Sequence, residues 1–272
     1  MTETTDPAAA RPATTAKSTM ALPEIRAITV VDLVEVFGAG IQDMRRAPVH
    51  SLFFGLSYAV GGWLILLLLW KLRMPYLAYP MAMGFALIAP FVATGLYDVS
   101  RRLETDTPVT WRAVLSAPWL PQRRDLRWMA LITGFALVLW MDIAAILSFG
   151  FLGFQALTAD LVNELFTTPS GLLFLAIGNL AGAIIAFSIF SISVISFPLL
   201  YDRDLDFVTA MVASVKTVSV NPRTMAVWAI VIGALTALSI VSLFVGLIVV
   251  LPVLGHASWH LYRRVIGPAV TS

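Results

Sequence analysis

His256 and His260 stand four residues apart, a spacing that sets two side chains on one helical face within reach of a shared metal ion. With His50 they are the only histidines of the chain. Three imidazoles suffice for zinc or copper, and two for a haem. No glutamate follows the first histidine of the pair, so the pattern is not that of a zinc protease. Trp259 and Tyr262 flank the pair, and that company equally fits imidazoles at a membrane surface, bonded to headgroups or carbonyls. No resident cofactor is expected.

The second candidate is Asp142, alone among apolar residues, with Asn179 as a possible companion on a later helix. An ionised carboxylate inside a bilayer costs at least about 2.5–3.5 kcal/mol, so this group is expected to be neutral, paired or facing water. One role is a proton or cation site. The other is a polar clasp between helices, beside the small pair Gly178 and Gly182. Asp98 and Arg102 are spaced for a surface ion pair of about 0.3–0.5 kcal/mol. Ser191, Ser193 and Ser196 are expected to bond to the preceding helical turn rather than to attack anything. No Ser-His-Asp arrangement, phosphate loop or paired catalytic carboxylates occurs, so the chain is not expected to be an enzyme. The absence of cysteine removes disulfides, thiolate metal sites, Fe–S clusters and a thiol nucleophile together.

The elements that would position these residues are membrane helices. Hydrophobic residues make up 59% of the 272 positions and charged residues 12%, about half the share of an ordinary soluble domain. A net charge of +2 gives no sign of nucleic acid as a partner, and the basic residues cluster beside apolar runs, where anionic headgroups would meet them. The lipid bilayer is the expected partner, with other membrane subunits as further candidates. Residues 1–28 are expected to form a disordered tail without a secretory signal, and 267–272 a second tail.

Apolar runs at 51–70, 76–97, 128–151 and 171–200 each fit one crossing. Between Thr224 and Tyr262 no Lys, Arg, Asp or Glu occurs. A single helix of that length would reach roughly 60 Å, twice a hydrocarbon core of about 30 Å. Two crossings that turn near Ser242 to Gly246 fit better, giving six. All of the 18 Lys and Arg residues except Lys71 and Arg73 then fall inside, with both termini cytoplasmic. The fold class is therefore an all-α polytopic membrane protein of about six transmembrane helices, expected in a bacterial cytoplasmic (inner) membrane.

An internal repeat organises the membrane domain, 29–266, into units at 29–104, 105–203 and 204–266. Each opens on an amphipathic interfacial helix, at 29–46, 109–117 and 207–220, then a proline: Pro48, Pro118 or Pro121, and Pro222. On the first of these helices Val30, Leu33, Val34, Phe37, Ile41 and Met44 make an apolar stripe. Two crossings follow in each unit, the second carrying Pro90, Pro198 or Pro252. Tyr97 and the pair Arg101-Arg102 follow Pro90 at the same offsets as Trp259 and Arg263-Arg264 follow Pro252. The middle copy, with Tyr201, Asp202 and Arg203 after Pro198, is shorter.

The run Gly95-Leu96-Tyr97-Asp98-Val99-Ser100-Arg101-Arg102-Leu103-Glu104 resembles a bacterial family of integral membrane proteins, domain of unknown function 2189. The segment from Pro252 to Arg263 is similar to that family's closing segment, so the likeness covers about 29–266. The resemblance implies membrane location but no activity. Some members carry the label of a cytochrome c oxidase subunit; three histidines are too few for the haem and copper ligands of a catalytic subunit. A non-enzymatic accessory, scaffold or lipid-associated subunit is the expected function. The alternatives are a transporter or channel using Asp142, and a metal- or haem-binding redox-associated subunit.

Overall fold

The structure, a computed structural model, describes residues 22–74, 77–117, 124–153 and 161–267. Most of the first tail, Pro75, Tyr76, Pro118, Pro121, Asp160 and the last five residues lie outside the described residues. The described elements are helices, with one isolated antiparallel bridge between Ile25 and Ile266. In chain order they are α1 (Val30–Arg46), α2 (Pro48–Lys71), α3 (Ala78–Phe85), α4 (Ala89–Val92), α5 (Thr94–Glu104), α6 (Trp111–Ser116) and α7 (Arg124–Leu152). There follow α8 (Leu161–Thr167), α9 (Pro169–Ser193), α10 (Ser196–Asp202), α11 (Phe207–Val220), α12 (Pro222–Val241) and α13 (Leu247–Val265).

Prolines punctuate these helices as their chemistry requires. The missing N–H of proline is harmless in a first turn, and Pro48, Pro169 and Pro222 each open a helix. Ala47 and Asn221, the joints before two of them, share nearly one backbone geometry, φ −130° and ψ 58° against φ −120° and ψ 49°. The helices entering those joints are α1 and α11. Aspartates secure both starts: Asp32 accepts from Thr29 N–H at 2.7 Å, and Asp206 accepts from Thr209 N–H at 2.9 Å.

Among the described residues four stretches, not six, are long and apolar enough to cross a membrane: α2, α7, the run Pro169–Asp202 and α12. The expected second crossing is broken by a 3-10 turn, Ala86–Ile88, just before Pro90, which cannot donate into a helical ladder. The expected sixth, α13, keeps Pro252 inside one helix, but its second half carries His256, His260, Arg263 and Arg264. The turn before it falls where charge bias puts it, with Leu243 and Phe244 at positive φ and Phe244 packed on Gly62.

Helix α13 is the hub. At Gly40 of α1 an added Cβ would lie 2.8 Å from the Val253 oxygen, so this crossing brings backbone against backbone. Gly55 of α2 likewise abuts the Ile248 backbone. The face that α1 buries is not its apolar stripe. Leu33, Val36, Gly40 and Asp43 are buried, while Val30 and Val34 point outward and Phe37, Ile41 and Met44 are half-buried. The stripe's centre is turned about a quarter of the wheel from the docked face, because α13 offers α1 polar partners as well as apolar ones.

Candidate functional site

Three aromatic rings from three separate helices meet near the arginine-bearing ends of α5 and α13. Tyr97 and Trp259 are stacked with ring centroids 6.3 Å apart, and Tyr201 of α10 stands edge-on to both, at 6.3 and 6.0 Å. All three are almost fully buried, Trp259 completely. These are the aromatics that follow Pro90, Pro198 and Pro252, so residues unremarkable as separate helix ends become one triangular core.

The residues beside the triangle are polar and joined across helices. Asp98, 1% exposed, accepts from Arg102 Nε at 2.6 Å and from the Tyr201 hydroxyl. The expectation of a surface ion pair is therefore corrected: the carboxylate is buried and ties α5 to α10. Tyr262 donates to Asp202 at 2.6 Å, and Arg263 lies between Glu104 at 3.3 Å and Asp202 at 3.7 Å. A cavity of about 480 Å³ opens here, walled by Arg101, Arg102, Arg263 and Trp259 together with the carboxylates Glu104 and Asp202, with Thr105 and Thr107 at its edge.

A second polar chain runs from α1 to α2 through α13. The His256 ring is fully buried, with Nε2 2.9 Å from Ser51 Oγ and Nδ1 2.8 Å from Ser100 Oγ. His260 Nε2 lies 2.8 Å from Asp43, and its Nδ1 3.7 Å from Glu104. His50 is elsewhere, its ring 4.3 Å from that of Trp111 and its Nε2 buried without a hydrogen-bond partner. The three imidazoles thus face different neighbours, and the nitrogens of the close pair are occupied by serines and carboxylates. Among the described residues no group of three or more ligating side chains is placed to hold a metal ion. A metal or haem does not fit this arrangement.

Asp142 lies on the outer face of α7 in a stripe with Leu131, Phe135, Val138 and Ile146, all exposed. Among the described residues it has no hydrogen bond or ion pair. Asn179 donates to Leu175 O at 2.7 Å and lines a groove with Trp140, which is on the buried side of α7. The two candidates therefore do not share a site. Gly182 admits the Trp140 ring, and Trp140 Nε1–H donates to Pro80 O at 2.8 Å. That tryptophan makes the clasp assigned to Asp142. Ser191, Ser193 and Ser196 each donate to a carbonyl of the preceding turn, at 2.7, 3.4 and 2.5 Å, as expected.

A family model described as predicted integral membrane protein, domain of unknown function 2189, matches residues 78–202. Over those residues the chain is similar to that family. No curated protein and no solved structure matches the chain. With its long apolar helices, the protein is an all-α polytopic membrane protein. The domain of unknown function 2189 contributes Tyr97, Asp98, Tyr201 and two cavity arginines, whereas Asp43, Trp259 and both close histidines lie outside it. The match is thus narrower than the likeness expected over 29–266.

Sequence reasoning missed Asp43, Ser51 and Ser100, because each bonds to residues far along the chain. Asp43 supports a measurable expectation. Burial alone would raise its carboxyl, but hydrogen bonds from His260 and Ser100, with the nearby imidazoles, hold it below the ordinary value of 3.8. A depressed value means that the stabilisation is present above the unfolded value near 3.8 and is lost as pH falls through the folded value. Asp43→Asn is expected to cost about 1 kcal/mol at pH 7 and to flatten that acid dependence, as read by thermal melts. Equal acid profiles for the two proteins would remove Asp43 from the account.

Proposed function

We propose that the chain is a non-enzymatic scaffold or accessory subunit of a bacterial cytoplasmic membrane, self-assembling through the outer face of α7. The observation that carries this reading is Asp142, exposed and, among the described residues, unpartnered, in a stripe of apolar side chains that all face outward. Lipid contact with a carboxylate there costs about 2.5–3.5 kcal/mol, and a second molecule offering a hydrogen bond relieves it. Two copies of α7 related by a twofold axis would set Asp142 against Asp142, an isologous contact that needs one proton between the carboxyls. Three repeated units, inner termini and interfacial helices complete the picture. The aromatic triangle, the matching joints at Ala47 and Asn221, and the outward Val30 and Val34 support those features.

The chain has no cysteine, so single introduced cysteines report contacts cleanly. Val138→Cys and Ile146→Cys are expected to give oxidised dimers in membranes, and Leu180→Cys, exposed on α9, is not. Asp142→Leu should cut the yield from Val138→Cys while changing monomer stability by no more than about 0.5 kcal/mol, since the side chain is exposed. Equal cross-linking at Leu180 and Val138 would overturn the proposed face. The transporter alternative rests on the same carboxyl. An ion flux in liposomes that Asp142→Asn abolishes would put it in place of the scaffold reading.

A further inference from the structure

The cavity beside the aromatic triangle holds one guanidinium, that of Arg101, which no carboxylate engages among the described residues. Arg102 is committed to Asp98 and, through Nη1, to Pro108 O at 3.1 Å. Arg263 is shared between Glu104 and Asp202. Arg101 faces the Tyr201 ring, its Cζ 5.7 Å from the centroid, and among the described residues it bonds to no carboxylate. A guanidinium laid on an aromatic face keeps its in-plane N–H groups free for a planar or tetrahedral oxyanion. Thr105 and Thr107 are occupied otherwise, donating to the Arg101 and Arg102 carbonyls at 3.0 and 3.4 Å. Trp259 forms the cavity's apolar wall and has a buried Nε1–H without an acceptor among the described residues.

We propose that this cavity binds a phosphate group, with Arg101 as its principal anchor and the free N–H groups of Arg102 and Arg263 completing the cradle. Arginine forks match phosphate oxygens in pairs, and Arg101 is the lining guanidinium that no carboxylate engages among the described residues. The volume of about 480 Å³ exceeds what a bare phosphate fills, leaving space for the group that carries it. Because the walls come from α5, α10 and α13, an occupant would tie together the three helix ends that carry the triangle.

The same chemistry can reach the cavity as a phospholipid headgroup or as a soluble phosphate, and the test separates them. The full chain in detergent is titrated with phosphatidylglycerol, phosphatidylcholine or inorganic phosphate, and bound ligand is counted by native mass spectrometry. One saturable site is expected. Filling by phosphatidylglycerol but not inorganic phosphate identifies a headgroup, and filling by inorganic phosphate identifies a soluble ligand. Arg101→Gln should weaken the bound species at least tenfold, whereas Arg127→Gln, outside the cavity, should not. Thr107→Glu, which adds a carboxylate at the exposed rim, is expected to compete with the anion and gives the same readout should Arg101→Gln fail to fold. No saturable site, or wild-type affinity in Arg101→Gln and Thr107→Glu, overturns the proposal.

Discussion

Trp259→Ala is expected to destabilise the protein by about 3–5 kcal/mol, the range for removing a large buried aromatic ring. The ring is fully buried and touches Tyr97, Tyr201 and Tyr262, with the last centroid 5.5 Å away. Its removal would leave two tyrosines from different helices facing a void that neither backbone can close. Trp259→Phe separates packing from polarity. Among the described residues the indole N–H has no acceptor, so phenylalanine loses no hydrogen bond there and should cost no more than about 1.5 kcal/mol. Thermal melts in one detergent give both values. A Phe variant as damaged as the Ala variant would show that the indole nitrogen matters and that an acceptor has been overlooked.

Asp98→Ala should cost about 3 kcal/mol for a different reason. Truncation leaves the Tyr201 hydroxyl buried without its acceptor and removes the charge opposing Arg102. An orphaned buried donor costs about 1–3 kcal/mol, and loss of one partner of a buried ion pair adds to it. Arg102 is partly exposed and can turn toward water, which keeps the total near the lower end. Asp98→Asn retains an acceptor oxygen and should cost about half as much. In the double variant Asp98→Ala, Tyr201→Phe, the hydroxyl is gone together with its partner, and part of the loss should return. A coupling of about 1 kcal/mol or more is expected from that cycle. Strict additivity of the two single changes would mean that the α5–α10 bond contributes nothing.

What could be read in advance follows from the range of the interactions concerned. The 207–220 helix was bounded to the residue by local chemistry: Asp206 can cap its start, and Pro222 prevents it from running on. The turn at 242–246 was legible from charge placement and bilayer thickness alone. The buried face of α1 was not legible, because periodicity reports where apolar residues lie and not which neighbour arrives. Asp43 is buried because α13 brings His260 to it, and nothing within a helical turn of Asp43 announces that. The same reasoning explains Asp98, whose local partner Arg102 was visible and whose distant partner Tyr201 was not. Asp142 was singled out as a lone charge among apolar residues, but mid-helix position cannot say whether a side chain points inward or outward. The triangle sits between these cases: its three members were noted as matching helix ends, and only packing shows that they touch.

The order in which the ribosome delivers these helices sets a problem for the growing chain. α1 and α2 emerge long before α13, yet the surfaces against which they pack belong to it. Until then Asp43 lacks His260, Ser51 lacks His256, and Gly40 and Gly55 are notches without the backbone that fills them. The bridge between Ile25 and Ile266, with Arg26 N–H donating to Val265 O at 2.8 Å, completes the join only once Ile266 has been made. A nascent chain of this kind carries an open seam through synthesis, with polar groups exposed that maturity conceals. Cellular proteases and membrane chaperones that survey unfinished products would find their signal at that seam until α13 closes it.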